Sequence, residues 1–319
     1  MNFALSFNRA YLDYAIVAIT SICESNPGHH DVYILHSELD DGDITRLNES
    51  LERYDLSVLP LKVDFDKYRD RLPASDFWSH EIYYRLLLPE MLPPGVDRVL
   101  YLDVDVIVHG ALDDLYGTDF GEADLVGCYD SNDTLRVADM SEMQQEMFAP
   151  LIGNGYKYFN SGVLLMNIAS MRGRVSFETY LSVMKEWDFK MTAPDQDILN
   201  YVHHDRIKYA DYRKYDLFAR PAYNSGWRYE DVTERNVIVH FAGSKPWLST
   251  NIHYSIEKLW WDYARKTPCY VELMERFVRS VFEDTSVEDY LKGLMEESAA
   301  QKKQMQQIMD RMQAILNRE

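Results

Sequence analysis

The sequence contains few cysteines, and their spacing excludes a disulfide framework. Only Cys23, Cys128 and Cys269 occur in 319 residues, and no CxxC pair is present. An odd number of scattered thiols is typical of proteins from a reducing compartment. We therefore expect three free thiols.

Basic residues are also scarce relative to acidic ones. The chain carries 33 Lys and Arg against 52 Asp and Glu, a formal net charge of −19. Such a surface repels phosphate groups, which disfavours nucleic acids and anionic membranes as partners. A phosphorylated ligand would need local compensation for this repulsion, and a bound cation would provide it.

No long uncharged apolar run is present. The first residues, "NFALSF", carry no basic leader, and "YLDYAIVAITSIC" (11–23) is interrupted by Asp13 and two tyrosines. From these features we expect neither a signal peptide nor a membrane span in this region. We expect a cytoplasmic location, with at most a peripheral position at the inner membrane face.

What the chain does contain is an alternation of short apolar strands with helical patterns. The predicted strands are 2–7, 31–37, 56–63, 98–105, 123–130, 159–167 and 236–243. The predicted helices are 11–25, 40–54, 82–92, 168–188 and 195–204. This order predicts an α/β fold with a parallel or mixed sheet and helices on both faces. The segment 131–158 is predicted to be a long functional loop.

The C-terminal tail has a different pattern. Apolar residues recur there at 4-3-4-3 spacing, interrupted by two polar positions: Val287, Leu291, Leu294, Ser298, Gln301, Met305, Ile308, Met312 and Ile315. This heptad seam is typical of a coiled coil, which would make a homodimer. An amphipathic helix folded back on the domain is an equal alternative.

Two like charges interrupt the apolar stretch "RVLYLDVDVIVHG" (98–110). Asp103 and Asp105 would project to the same side of a strand, because side chains alternate with period two. Two carboxylates brought together raise each other's pKa and cost stability. A shared proton, exposure at the end of the strand, or a shared metal ion would each relieve this cost.

A second stretch, "VIVHFAGSKPW" (237–247), favours the metal. It ends a predicted strand with His240, followed by Gly243 for a close backbone approach and Lys245 for a phosphate. A histidine at the end of a strand is more often a hydrogen-bonded core residue. Combined with two carboxylates, however, an imidazole makes the mixed ligand set that suits Mn²⁺.

Four motifs together resemble glycosyltransferase family 8. They are "YLDVDVIV", "FNSGVLLMN", "PDQDILN" and "HFAGSKPW", and they occur in the order found in that family. The resemblance covers roughly residues 1–265 and leaves 266–319 as a C-terminal helical extension. It implies a GT-A fold, a Rossmann-like mixed sheet flanked by helices.

The resemblance also implies a donor site for a UDP-sugar and Mn²⁺, with Mg²⁺ as the alternative ion. The implied metal ligands are Asp103, Asp105 and His240. The residues implied for the nucleotide and its phosphates are Ser6, Asn8, Tyr11, Val104, Gly243 and Lys245. Those implied for the donor sugar are Arg85, Asp130, Asn160, Ser161, Asp195 and Gln196. In the first loop, Asn8 and Ala10 replace an acid and an asparagine that are usual in the family.

The implied reaction is transfer of galactose or glucose from the UDP-sugar to a glycan, glycolipid or other hydroxyl acceptor, with retention of configuration. Lipopolysaccharide or other cell-surface glycan synthesis is the implied setting. Gln196 and Asp195 are the implied catalytic residues, with Gln196 stabilising positive charge on the sugar. Asp195 is also expected to cap the helix that it begins.

The acceptor would contact 131–158 and the aromatic region 212–231. Four side chains of that region are candidates for stacking on sugar rings: Tyr215, Phe218, Tyr223 and Trp227. Two alternative functions remain open: a metal-dependent nucleotide-sugar hydrolase, and a non-catalytic scaffold that presents the 287–315 helix.

Overall fold

The computed structural model describes residues 1–64, 66–69, 72, 80–130, 140–152, 156–235, 238–243, 245–248, 253–283, 295 and 302–303. The chain divides into two units. The first comprises Met1–Pro246 and His253–Tyr270, and the second comprises Trp247–Ile252 and Val271–Glu319.

A seven-stranded sheet forms the centre of the first unit, with strand order β3-β2-β1-β4-β7-β6-β8. The strands are β1 (Asn2–Ser6), β2 (His30–His36), β3 (Leu56–Lys62), β4 (Arg98–Leu102), β6 (Leu125–Tyr129), β7 (Phe159–Asn167) and β8 (Ile207–Tyr209). Neighbouring strands are parallel except at β7, which is antiparallel to β4 and to β6. The predicted α/β class with a mixed sheet is therefore confirmed.

A second sheet of three strands joins β5 (Val106–Val108), β10 (Ile238–His240) and β9 (Leu217–Phe218) in the order β5-β10-β9. Strand β10 is antiparallel to β5 and parallel to β9. The predicted strand 98–105 is therefore wrong, because β4 ends at Leu102 and the chain continues into the other sheet.

Asp103 and Asp105 lie in the turn between the two sheets. Directly after β4, the Asp103 amide donates to the carbonyl of Gly162 in β7 at 2.8 Å. Directly after β10, the Phe241 amide donates to the Asp105 carbonyl at 2.9 Å. These contacts anchor one end of the turn to each sheet. The turn thereby brings the end of β4 next to the end of β10.

Helices flank the sheets in the first unit. The longer ones are α1 (Leu12–Ser25), α2 (Asp41–Leu51), α6 (Glu142–Ile152), α8 (Phe177–Glu186) and α9 (Pro194–Val202). The shorter ones are α3 (Asp66–Arg69), α4 (Leu88–Met91), α5 (Asp113–Tyr116), α7 (Ile168–Arg172), α10 (Tyr212–Tyr215), α11 (Ala219–Asn224), α12 (Tyr229–Arg235) and α13 (Lys258–Ala264). Turns of 3-10 helix occupy Arg9–Tyr11, His80–Leu87 and Ser255–Glu257.

Three further predicted segments differ from the structure. The predicted helix 82–92 is a 3-10 helix followed by the short α4. The predicted helix 168–188 is two helices, because α7 ends at Arg172 with Gly173 as its C-cap and α8 begins at Phe177. The predicted loop 131–158 contains α6 in its described part, whereas 131–139 and 153–155 lie outside the described residues.

The hydrophobic core explains why these elements form. The central strands β1, β4 and β7 are buried along most of their length, which matches their nearly continuous apolar sequences. Helix α1 buries eleven of its fourteen residues and packs against β5, α2 and α13. The packed core therefore fixes the positions of the strand ends that carry the candidate site.

Helix α14 (Tyr270–Glu283) belongs to the second unit apart from its first residue. Every position of the heptad seam from Val287 to Ile315 lies outside the described residues, so the coiled coil remains a prediction. Among the helices that the structure describes, none has both the length and the apolar composition that a membrane crossing requires.

Candidate active site

Two carboxylates and an imidazole gather where the two sheets meet. One ligand atom from each of Asp103, Asp105 and His240 lies within 4.8 Å of the others. Asp105 and His240 are buried, whereas the side chain of Asp103 is partly exposed. The structure thus brings together three residues that are distant in sequence, in an arrangement that could hold a divalent cation.

Asp105 is the most heavily paired member of this cluster. Its Oδ1 lies 3.3 Å from His240 Nε2, and Lys245 Nζ donates to its Oδ2. Burial alone would raise the pKa of Asp105, but the charges of Lys245 and His240 outweigh it and lower that pKa far below the ordinary value. The carboxylate is therefore ionised, as metal ligation requires.

Arg85 holds the other carboxylate. Its Nη2 donates to Asp103 Oδ1 at 2.9 Å, and its Nη1 donates to the Ser161 carbonyl at 2.6 Å. Its guanidinium lies 4.3 Å from the centroid of the Tyr101 ring, whose hydroxyl also donates to Asp103 Oδ1. Arg85 is buried. It is thus a fixed part of the site rather than a surface charge.

The partner on the far side of His240 was not predicted from the sequence. Asp216 Oδ1 lies 2.8 Å from His240 Nδ1. Burial lowers the pKa of His240, but Asp105 and Asp216 outweigh it and raise that pKa to about 10. A cation that uses Nε2 must therefore displace a proton from it.

Gln196 is fixed in orientation by three contacts. Its Oε1 accepts from Asn160 Nδ2 at 3.0 Å and from the Ser161 amide at 2.9 Å, and its Nε2 donates to Asp130 Oδ2 at 2.8 Å. A backbone amide only donates and a carboxylate only accepts, so the two ends of the side-chain amide cannot be exchanged. The predicted sugar-site residues thus form one hydrogen-bonded group.

Asp195 is an ion-paired residue and not the predicted helix cap. Its Oδ2 lies 3.2 Å from Arg85 Nε and accepts from Ser161 Oγ at 3.0 Å. The N-cap position of α9 belongs to Ala193. Asp197 instead accepts from the amides of Ala193 and the residue before it, at 2.9 and 3.0 Å. Asp197, the third residue of "DQD", therefore stabilises the start of α9, and the Asp195 carboxylate pairs with Arg85 instead.

A cavity of about 450 Å³ opens beside the cluster. The predicted site residues that line it are Ser6, Asn8, Tyr11, Arg85, Asp103, Val104, Asp105, Asn160, Ser161, Asp195, Gln196, His240, Gly243 and Lys245. Asp130 is outside this lining and reaches the cavity through Gln196. Glu81 also lines it, and nothing in its sequence context indicated this position.

The first loop supplies one wall of the cavity. Ser6 Oγ donates to the Glu81 carbonyl at 2.7 Å, which fixes the start of the loop against the 3-10 helix. Asn8 Oδ1 is buried and has no hydrogen-bond partner among the described residues. Tyr11 is partly exposed. A buried acceptor without a partner at a cavity wall is suited to an N–H donor on a ligand.

Two glycines permit the close approach of these groups. A Cβ on Gly162 would lie 2.5 Å from His240 Cε1 and 2.7 Å from Asp103 Oδ2, closer than side chains pack. Gly243 has φ +78°, a conformation that favours glycine. Gly162 is the fourth residue of "FNSG", and its spatial role was not visible in the sequence.

Three of the aromatic candidates for acceptor contact pack within the protein. Tyr215 is buried, and the Phe218 ring makes an edge contact with His240 at 5.1 Å between centroids. Tyr223 lies against Tyr254 at 5.0 Å. Trp227 is only half-buried. Packing within the protein therefore accounts for three of the four aromatic candidates.

The profile of Glycosyl transferase family 8 matches residues 2–251. The chain belongs to glycosyltransferase family 8. This confirms the family membership that the four sequence motifs predicted. The family match covers both sheets and every predicted site residue.

Known proteins similar to this family 8 chain agree with the assignment. A putative glycosyltransferase of Haemophilus influenzae is 27% identical over 67% of the chain, and the chain covers 62% of that protein's length. A lipopolysaccharide 1,2-glucosyltransferase of Escherichia coli K12 is 27% identical over 81% of the chain and 75% of its own length. The crystal structure of the galactosyltransferase LgtC with donor and acceptor sugar analogues superposes with a TM-score of 0.69 at 24% identity, covering 84% of the chain and 96% of LgtC. This last likeness concerns the fold.

Proposed function

We propose that this chain transfers galactose or glucose from a UDP-sugar to a hydroxyl group of a glycan or glycolipid, with retention of configuration and with Mn²⁺. The observation that carries the proposal is the convergence of Asp103, Asp105 and His240 beside a cavity lined by the predicted nucleotide and sugar residues. The names of similar proteins support a hexose, since they include lipopolysaccharide glucosyltransferases and a galactosyltransferase.

The ligand set suits Mn²⁺. Two carboxylates and one imidazole form a mixed oxygen and nitrogen set that leaves coordination positions for other oxygens. Asp105, Asp103 and His240 would hold the ion, which when bound would stabilise the negative charge of the departing diphosphate. In a chain of net charge −19, a local cation also offsets repulsion of that diphosphate.

The chain adds its own positive group on the phosphate side. Lys245 lines the cavity and is ion-paired with Asp105. Gly243, which has φ +78°, carries no side chain and therefore exposes its backbone at the same wall of the cavity. We assign both to the diphosphate, with Lys245 donating a hydrogen bond to it.

The contacts of the two candidate catalytic side chains favour front-face substitution over double displacement. A double displacement needs a nucleophile free to attack the anomeric carbon. Gln196 Oε1 already accepts two hydrogen bonds, and Asp195 is paired with Arg85. In this proposal the Gln196 carbonyl dipole stabilises positive charge on the sugar, and the leaving phosphate takes the proton of the acceptor.

The test is turnover of UDP-galactose and UDP-glucose by the purified chain, with Mn²⁺ and with EDTA. We expect UDP release from one of the two donors that requires the metal and rises with a sugar acceptor, and a product that keeps the anomeric configuration by NMR. A rate that no acceptor changes would favour the hydrolase. Calorimetry with no UDP binding in Mn²⁺ would favour the scaffold.

Gly162→Ala is expected to reduce turnover roughly a hundredfold, because an added Cβ must displace His240 and Asp103 by a fraction of an ångström or more. Steady-state kinetics measure this effect, with whichever of UDP-galactose and UDP-glucose the turnover assay shows to be the donor. Gly95→Ala is the matched control, since a Cβ there meets no atom within 4 Å. If Gly162→Ala matched Gly95→Ala in rate, the steric role of Gly162 would be excluded.

A further inference from the structure

Asp216 occupies an unusual position for a carboxylate. It follows α10 directly, and only 2% of its surface is exposed. Its Oδ1 contacts His240 Nδ1 at 2.8 Å. Its Oδ2 is buried without a hydrogen-bond partner among the residues that the structure describes. One oxygen of a buried acid thus has a specific partner, and the other has none.

Fold stability alone does not account for this arrangement. Removing a carboxylate from water is costly, and buried acids are usually satisfied at both oxygens. A neutral side chain of similar size would fill the same space at a lower cost.

The strand register places Asp216 beside the imidazole. Strand β9 begins at Leu217, directly after Asp216, and pairs in parallel with β10 so that Phe218 lies opposite His240. The Phe218 ring packs edge-on against the imidazole. The His240 ring is therefore constrained by two residues of the same short segment: Phe218 contacts the ring, and Asp216 forms a hydrogen bond with it.

We propose that Asp216 is the positioning residue of the cation centre. A carboxylate only accepts hydrogen bonds, so Nδ1 of His240 carries the proton that it donates to Asp216. Nε2, which lies 3.3 Å from Asp105 Oδ1, is then left as the nitrogen that faces the cation. The carboxylate fixes the ring orientation and makes this nitrogen a stronger ligand. The proposal rests on the proposed function only in that a divalent cation binds here.

The experiment measures Mn²⁺ affinity at a fixed pH, from the electron paramagnetic resonance signal of the free ion, with UDP present. We expect Asp216→Asn to weaken binding about tenfold and Asp216→Ala up to about a hundredfold. Asp211→Asn is the matched control. Asp211 is the N-cap of the same helix and accepts from the Arg213 amide. We expect this control to stay within twofold of wild type.

A double-mutant cycle separates positioning from general damage to the fold. In a His240→Gln background, where UDP still helps to retain the ion, the effect of Asp216→Asn on Mn²⁺ affinity is expected to disappear. The same loss in both backgrounds, or a wild-type affinity in Asp216→Asn and Asp216→Ala, would overturn the proposal. Because the asparagine variant keeps the shape of the side chain, it serves if the alanine variant fails to fold.

The same measurement distinguishes the two proposals. A wild-type protein that binds Mn²⁺ in this assay but transfers no sugar would overturn the proposed function and leave the role of Asp216 supported by the cycle. A wild-type protein that binds no Mn²⁺ would overturn both.

Discussion

Asp105→Ala is expected to abolish metal-dependent sugar transfer, with a loss of at least about a thousandfold, or roughly 4 kcal/mol of transition-state stabilisation. The reason is that Asp105 is central to the cluster. It lies 3.3 Å from His240 and is paired with Lys245. Without it, one carboxylate and one imidazole remain to hold the ion, and Lys245 loses its ion pair with the Asp105 carboxylate.

Steady-state rates and UDP calorimetry, each with and without Mn²⁺, measure this effect. Asp105→Asn provides a second variant of unchanged shape and is expected to fail in the same way. The control is Asp114→Ala, because that carboxylate is 83% exposed and lies outside the cavity lining. Wild-type rates in both Asp105 variants would refute the site.

Asp124→Asn is expected to cost about 3–5 kcal/mol in the free energy of unfolding, the range for one partner removed from a buried ion pair. Asp124 is fully buried, and its partners come from α7, from the segment after α7 and from the segment between α9 and β8. Its Oδ1 accepts from Ser170 Oγ at 2.7 Å and from Arg206 Nε at 3.2 Å. Its Oδ2 accepts from Arg174 Nη2 at 2.7 Å and lies 3.0 Å from His203 Nδ1. An asparagine side chain in its place carries no charge, and its NH2 group presents two hydrogen-bond donors to partners that are themselves donors.

Urea unfolding at several pH values tests this prediction. Burial would raise the pKa of Asp124, but its contacts with His203, Arg174 and Ser170 outweigh burial and lower it. A lowered pKa in the folded state stabilises the protein above the unfolded value of about 4, and this stability is lost as the pH falls further. The difference between wild type and variant should therefore be constant near neutral pH and shrink below about pH 4.

The control for this series is Asp114→Asn, whose exposed pair with Lys214 is expected to contribute less than about 1 kcal/mol. If Asp124→Asn changed stability by as little as this control, the buried network would not stabilise the fold as described. Neither variant touches the cavity lining.

Local pattern predicted most elements of the large sheet. Strands β1, β2 and β3 and helix α1 lie within a few residues of their predicted bounds, because buried strands and helices carry their own periodicity. The predicted strand 98–105 extends past Leu102, where β4 ends, since the residues on both sides of Asp103 and Asp105 are equally apolar. Which sheet a strand joins depends on pairing with β10, far away in the sequence, and no local pattern encodes it.

The same distinction applies to the site. The four motifs identified residues that the structure places around one cavity. Asp216, Gly162 and Glu81 were missed because each acts through a neighbour that is distant in sequence. Asp216 is an isolated acidic residue in "KYDLF", where the sequence shows neither a helical pattern nor the spacing of a metal-ligand motif. The N-cap assignment of Asp195 was wrong because α9 already begins at Pro194, which places Asp195 inside the first turn, where its side chain pairs with Arg85.

The turn between the two sheets would make the proposed cation centre sensitive to heat. Asp103 and Asp105 belong to the segment that leaves the seven-stranded sheet, whereas His240 ends a strand of the three-stranded one. A thermal opening that separated the sheets would dismantle the centre even if each sheet stayed intact. A divalent cation bound as we propose would therefore stabilise the closed form, and a higher concentration of it would suppress such opening further.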